Sequence, residues 1–347
     1  MIRKESIFSF IFIFLLFAAV TFLLAQDCDY SLHKNSCIVD NYTAHYSYFN
    51  INNISTLIYN DGRADNGLNG QPGFEYPIGS NKTAVYQSGL LWGGKINKHI
   101  RVGGCRYRTG LKPGSVLPDG SSENSDSPAV RVYRVRPDYL NADLSTESSI
   151  ENKSITEIFE QYKMDWIEWP GDRGAPYADI DGDGNYNWEI DIPGTPGADQ
   201  TLWFVANDLD SVLTDRLMGS PPIGIEVQVT VWGYKNSTPL NNVIFKKYLL
   251  INKSNKLIED MYTGMWVDHD IGDASDDLSG CDVPVNLMFG YNEKFYDAQY
   301  GYLPPAIGFK LLQGPIVNGN ATDEAIFMGR KYFGKINLPM TAFNHYI

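Results

Sequence analysis

The segment Ile225-Glu-Val-Gln-Val-Thr-Val231 alternates apolar and polar residues without interruption. Successive side chains of a strand point to opposite faces, so the four aliphatic residues of this segment share one face. Such a strand buries one face and leaves the other partly polar. The segment therefore predicts a sheet with one face in the core.

Similar short runs recur along the chain at Thr83 to Leu91, Ala129 to Val135, Leu202 to Ala206, Val243 to Ile251, Val285 to Tyr291 and Ile307 to Leu312. Clusters of Gly, Pro, Asn and Asp separate them, which is typical of turns and long loops. Many short strands with this punctuation predict an all-β fold, an antiparallel β-sandwich of jelly-roll type, as one or two packed sandwiches.

One helix is predicted near 154–164. Ser154-Ile-Thr-Glu157 has the spacing of a capping box, and Ile158 and Tyr162 follow at helical intervals. A polar stretch near 139–151 marks a weak division before it. We expect a signal peptide at 1–25, an N-terminal β region at 26–150, the helix with an acidic loop at 151–200, and a C-terminal β-sandwich region at 201–347.

The first residues resemble a secretory signal. Arg3 and Lys4 precede an apolar run from Ile7 to Leu24, and the small residue Ala25 ends it. A membrane anchor is the alternative, since the run approaches the length of a spanning helix. No other segment is apolar enough to span a bilayer, so we expect a mature chain that begins at Gln26 outside the cell or on its outer surface.

The four cysteines lie after this segment, and export favours disulfides. Cys28 with Cys37 would close a short loop. Cys105 and Cys281 would then either meet across the core or remain as buried thiols.

Charge argues against nucleic acid as a partner. The 347 residues carry 28 Lys and Arg against 41 Asp and Glu, a formal net charge of -13, whereas a polyphosphate binder needs cations. The acidity is concentrated in the windows 165–215 and 259–282. Arg131, Arg134 and Arg136 lie on one predicted strand, and we expect them to pair with these windows.

The first window contains a calcium-type loop. Asp179, Asp181 and Asp183 alternate, and Gly184 takes the sixth position, where a calcium loop turns around its ion. The twelfth position is Ile190 and flanking helices are not expected, so the loop is not an EF-hand. A solvated acidic turn is the alternative. The candidate Ca²⁺ ligands are Asp179, Asp181, Asp183, Asn185, Asn187 and Glu189.

The second window offers a further set of carboxylates. They could form a second cation site, a carboxylate pair for acid/base chemistry or an exposed loop. The residues concerned are Asp268, Asp270, Asp273, Asp276 and Asp277.

Several segments of the sequence, taken together, resemble a family of exported proteins of Bacteroidota and related bacteria. They are Phe74 to Ser80, Ser88 to Gly94, Gly174 to Tyr177, Asp179 to Gly184, Asp199 to Asp208, Pro222 to Glu226, Asn252 to Ser254, Trp266 to Asp270, Asp276 to Asp282, Tyr291-Asn292 and Leu312 to Pro315. The resemblance implies an uncharacterised secreted protein that usually carries a C-terminal type IX secretion sorting domain. No such domain is recognisable before Ile347, so either the chain is a fragment or its export differs.

The sequence contains no zinc-protease, nucleophile-elbow or phosphate-loop motif. We therefore expect a structural or adhesive module, stabilised by calcium and without catalytic activity. Surface polysaccharide or other cell-surface proteins are its expected partners. The alternative is a secreted polysaccharide-acting hydrolase that uses paired carboxylates.

Overall fold

The computed structural model describes residues 44–235 and 238–345. The signal segment and the Cys28–Cys37 pair lie outside these ranges. The described residues belong to one compact unit.

Strands dominate the described residues. The first eleven are β1 (Tyr46–Phe49), β2 (Thr56–Tyr59), β3 (Phe74–Glu75), β4 (Thr83–Val85), β5 (Gln87–Ile96), β6 (His99–Gly104), β7 (Lys112–Pro113), β8 (Tyr133–Val135), β9 (Tyr177–Ala178), β10 (Ile192–Pro193) and β11 (Gln200–Asn207). The others are β12 (Ile225–Gly233), β13 (Phe245–Asn252), β14 (Glu259–Asp268), β15 (Asp277–Asp282), β16 (Leu287–Asn292), β17 (Tyr296–Asp297), β18 (Gly301–Tyr302), β19 (Ile307–Lys310), β20 (Ile316–Asn318), β21 (Glu324–Phe327), β22 (Arg330–Phe333) and β23 (Lys335–Asn337). Every strand pairing is antiparallel, which confirms the predicted class.

The central sheet has the order β13-β12-β11-β7, with β8 also paired to β11. The alternating segment at 225–231 lies in β12, as predicted, and its four aliphatic residues are buried. In the β11–β12 register Leu202 lies opposite Val231. Because β7 and β8 come from the predicted N-terminal region and β11 to β13 from the C-terminal region, these two regions share one sheet.

A second sheet, in the order β14-β5-β6, covers the aliphatic face of β12. Ala64 bridges Ile58 of β2 and Ser88 of β5, which links the β1–β2 hairpin to this layer. The main core lies between the two layers and contains Phe49, Trp92, Leu202, Phe204, Val227 and Val229, among others. Burial of each such side chain stabilises the fold by about 1.5–3 kcal/mol.

The opposite face of β11 is also covered, since all eight of its residues are buried. Trp203 and Val205 pack there against Trp169, Tyr177 and Tyr186. The chain that follows the predicted helix thus lies on the outer face of the sheet, and this packing anchors the acidic loop.

Three α-helices occur in the described residues: α1 (Ser145–Glu151), α2 (Ile155–Ile167) and α3 (Ser211–Met218). Helix α2 is the predicted one and begins with both halves of the capping box at Ser154 and Glu157. It continues three residues beyond the predicted end. The other two helices were not predicted.

Of the two alternatives for Cys105 and Cys281, the disulfide is wrong and the thiols are found. Both residues are free thiols, Cys105 buried and Cys281 half-buried. Cys105 follows β6 beside the backbone of Gly89, whereas Cys281 belongs to β15 in the separate sheet β15-β16-β19.

Candidate metal centre

The acidic loop closes as a small hairpin. Strands β9 and β10 pair at its base, with Ile192 opposite Ala178. Inside the loop the Tyr186 hydroxyl donates to the carbonyl of Trp166 at 2.5 Å, and the Trp166 indole N–H donates to the carbonyl of Trp188 at 3.2 Å. The loop is therefore fixed to the end of α2 and to the outer face of the sheet.

Three carboxylates converge at the tip of the loop. Asp179, Asp181 and Asp183 are exposed, and one oxygen from each lies within 4.8 Å of the others. Two oxygens on opposite sides of a calcium ion, each at about 2.3–2.6 Å, are about 4.6–5.2 Å apart. The three oxygens thus have a spacing that one calcium ion can span.

Backbone amides hold the first of these carboxylates in place. Asp179 accepts from the N–H of Gly182 at 2.8 Å and from the N–H of Gly184 at 3.0 Å. Both glycines have left-handed φ angles, +76° and +80°, which residues with a side chain rarely adopt. The loop curls around the Asp179 carboxylate because these two positions are glycine.

Asp191 braces the other side of the loop and is only 2 % exposed. One carboxylate oxygen accepts from the N–H of Ile180 at 2.9 Å, and the other accepts from the N–H of Asn187 at 2.8 Å. Sequence reasoning missed this residue as a part of the site, because it stands at the thirteenth position, outside the calcium-loop spacing.

The other three predicted ligands, Asn185, Asn187 and Glu189, do not join the three aspartates as a further group of clustered carboxylate oxygens. Glu189 is exposed and is not part of the group formed by the three aspartates. The side-chain oxygen of Asn187 accepts from the N–H of Glu189 at 3.1 Å. Asn185 is exposed and follows Asp183, whose carboxylate accepts its N–H at 2.7 Å.

The second acidic window is dispersed. Asp268 accepts from the Tyr107 hydroxyl at 2.8 Å, and Asp276 lies 3.4 Å from the Lys294 ammonium. Asp273 caps the turn at Ser275. Within residues 44–235 and 238–345, no three acidic residues of this window offer oxygens as closely spaced as those of Asp179, Asp181 and Asp183.

Two carboxylates of the second window have perturbed acidities. Burial, together with the charge of neighbouring aspartates, raises the pKa of Asp270 to about 6 and the pKa of Asp277 to about 6. One oxygen of Asp277 accepts from the N–H of Ile271 at 2.7 Å, but its other oxygen is buried without a partner.

A serine beside a lysine also occurs, in the core. The Lys246 ammonium lies 3.2 Å from the Ser88 hydroxyl and 2.9 Å from a carboxylate oxygen of Asp65. Ser88 is fully buried, so a substrate has no access to it. The Lys246 ammonium is engaged by the buried Asp65 carboxylate. This cluster is structural.

In the part of the chain that the structure describes, every helix is too short or too polar to cross a membrane. No protein-family model, no curated protein and no solved structure matches the chain.

Proposed function

We propose that the protein is a secreted or cell-surface structural or adhesive module whose loop 179–191 is ordered by Ca²⁺. The observation that supports the calcium-ordered loop most strongly is the convergence of the Asp179, Asp181 and Asp183 oxygens within 4.8 Å. Three carboxylates at this spacing repel one another in solvent, and a divalent cation relieves that repulsion. The location outside the cell rests on the N-terminal sequence pattern and on the family resemblance.

Calcium fits the loop better than magnesium. The three carboxylates sit on a glycine-containing turn at the surface, and such a loop can offer six or seven oxygens without rigid geometry. Mg²⁺ requires near-octahedral ligands at about 2.0–2.1 Å and retains its water. The ion would stabilise the protein by linkage, by about 2.7 kcal/mol when its concentration is a hundredfold above the Kd.

The test is a thermal unfolding series in calcium, in magnesium and in chelator. We expect the melting temperature to rise with calcium and to change little with magnesium. Asp181→Ala with Asp183→Ala should abolish the rise. The control is Asp126→Ala with Asp172→Ala, which removes two exposed carboxylates elsewhere and should retain it. Equal melting temperatures in calcium and chelator for the wild-type chain would mean that the loop is only a solvated turn.

Terbium luminescence gives an independent readout of the same loop. Trp188 lies in the loop and is 46 % exposed, so it can sensitise a lanthanide bound at the three aspartates. Calcium should displace the terbium signal, and Trp188→Phe should weaken that signal without changing the calcium-dependent melting temperature.

The hydrolase is the second candidate function, and Asp270 favours it. A carboxyl group with a pKa of about 6 can remain protonated near neutral pH, as a general acid requires. The negative charge of neighbouring Asp268 contributes to this shift. Release of reducing ends from polysaccharide by the wild-type protein, abolished in Asp270→Asn, would establish this function. No release from any polysaccharide tested would leave the non-catalytic module.

Export is tested by N-terminal sequencing of the secreted protein from its native host. We expect Gln26 as the first residue. Secreted protein that still carries Arg3 and Lys4 would contradict cleavage at this site.

A further inference from the structure

A polar cavity of about 460 Å³ opens to solvent beside the start of α1. It is lined by the segment after β1, the residues that follow β8 and the start of α1, with Lys235 after β12. Cavities of about 300–1,000 Å³ are typical of small-molecule sites. The volume is thus sufficient for a ligand of a few rings.

Two cations and three carboxylates line the cavity, and all of them except Asp143 form ion pairs with one another. The Arg136 guanidinium donates to Asp138 at 2.7 Å and also to Glu147, and the Lys235 ammonium donates to Asp138 at 2.5 Å. Arg136 and Lys235 hold the pKa of Asp138 down at about 2, although burial opposes this shift. An anionic ligand would have to displace one of these pairs, and the exposed Asp143 carboxylate would repel it.

Apart from the exposed Asp143 carboxylate, the rest of the lining is neutral. Asn53, Asn141 and Thr146 are exposed at the cavity, while Ile51 and Ile78 supply apolar surface. Amide and hydroxyl groups both donate and accept hydrogen bonds, so they can exchange water for the hydroxyl groups of a ligand. The apolar side chains can contact its C–H groups.

We propose that this cavity binds a neutral sugar, as one to three units of a polysaccharide chain. Neutral sugars combine many hydroxyl groups with apolar C–H faces, and they make no demand for a counter-ion. None of the three carboxylates is placed to cleave the bound sugar, because Arg136 holds Asp138 and Glu147, and Asp143 accepts from the N–H of Ser145 at 2.9 Å. The cavity therefore binds without hydrolysis, and it does so independently of the calcium loop.

Calorimetric titration with neutral trisaccharides tests the site. The probes are cellotriose, xylotriose, mannotriose, maltotriose and chitotriose, with trigalacturonate as the anionic comparison. We expect at least one neutral trisaccharide to bind, and trigalacturonate to bind at least tenfold more weakly. Thr146→Trp, which places a large ring at the cavity, should weaken the binding at least tenfold.

The matched control is Thr156→Trp. Thr146 and Thr156 are both exposed and each is the second residue of its helix, but only Thr146 lines the cavity. Thr156→Trp should bind as the wild type does, and melting temperatures show whether both variants are folded.

If Thr146→Trp does not fold, Asn141→Ala serves in its place and should weaken binding measurably. Absence of binding by all five neutral probes, equal binding by the two Trp variants, or tighter binding of trigalacturonate would overturn the proposal. Because none of these outcomes depends on calcium, they are separable from failure of the calcium loop.

Discussion

At the scale of single residues, Asp191 shows how a carboxylate can shape a loop without standing among the clustered oxygens. It is buried, and its two oxygens accept the N–H groups of Ile180 and Asn187 from the two halves of the loop. Alternation identified Asp179, Asp181 and Asp183, because local spacing is visible in sequence. The role of Asp191 depends on how the loop closes, which spacing alone does not show.

Asp191→Asn should loosen the loop. One accepting oxygen becomes an NH₂ group that faces a backbone N–H, and hydrogen bonds to charged groups contribute about 1.5–3 kcal/mol. We expect the free energy of unfolding, measured in urea with calcium held constant, to fall by about 1–3 kcal/mol. Glu189→Gln changes an exposed carboxylate of the same loop and should stay within about 0.5 kcal/mol of the wild type. Equal effects of the two substitutions would show that Asp191 does not hold the two halves of the loop together.

The Asp270 carboxyl makes stability depend on pH. Its folded-state pKa of about 6 lies above the ordinary value of 3.8, so the folded protein binds more protons than the unfolded chain between these values. Stability should therefore fall as the pH rises from about 4 to about 6, and the loss should persist above pH 6. Asp277 contributes with the same sign.

Asp270→Asn removes one of these titrations. Relative to the wild type, the variant should gain stability at pH 7 compared with pH 4, measured by urea unfolding at both values. Asp126→Asn, at an exposed position, is the control and should show the same difference from wild type at both pH values. A pH-independent effect of Asp270→Asn would contradict the raised pKa.

The salt-bridge partners of the three arginines could be predicted only in part from the sequence. Arg131 pairs with Asp165 at 2.9 Å and with Glu168 at 2.9 Å, both in the first acidic window, as predicted. Arg134 instead pairs with Glu151, and Arg136 with Asp138 and Glu147, all outside both windows. Charge density along the chain predicted that the arginines would be paired, but two of the partners, Glu147 and Glu151, come from α1, whose position the sequence did not predict.

At the scale of elements, periodicity predicted what one face of each element buries. Strand β12 could be predicted because aliphatic and polar residues alternate between its two faces. Helix α2 could be predicted because a capping box precedes apolar residues at helical spacing. Helix α1 was missed because it has no such stripe, and its buried residue is Glu147, paired with Arg136. Helix α3 does carry signals, with Asp210 as N-cap and Leu213 and Leu217 buried four residues apart.

Ser154→Ala tests how much the cap of α2 contributes. The Ser154 hydroxyl accepts from the N–H of Glu157 at 3.2 Å, and the Glu157 carboxylate accepts from the N–H of Ser154 at 2.8 Å. Loss of the hydroxyl should lower the free energy of unfolding by about 1 kcal/mol. Ser154→Thr keeps an accepting oxygen and should recover most of this loss. A Thr variant as unstable as the Ala variant would argue against the capping role.

At the scale of the whole molecule, the two layers of the sandwich are joined by charge as well as by apolar packing. Lys246 of β13, in the central sheet, reaches across to Asp65 and to Ser88 of β5 in the second sheet. Asp65 is 1 % exposed in its side chain and also accepts from the Thr56 hydroxyl at 2.9 Å. The alternation of apolar and polar residues predicted the layers, because it indicates which face of a strand is buried. It gave no sign of this contact, which joins residues 181 positions apart.

Lys246→Met measures the contribution of this inter-layer ion pair. The substitution leaves the Asp65 carboxylate buried without a cation, and breaking a buried pair in this way costs about 3–5 kcal/mol. Adding Asp65→Asn removes the second charge, and Asn tolerates the left-handed backbone at this position, where φ is +70°. The double variant should therefore be more stable than Lys246→Met alone in urea unfolding. The matched control is Lys95→Met, which breaks the Lys95–Asp260 pair of 2.7 Å, exposed at 45 % and 63 %, and should cost much less than Lys246→Met because solvent screens an exposed pair. If both lysine substitutions cost the same, the buried pair does not hold the layers together, and apolar packing alone must account for their association.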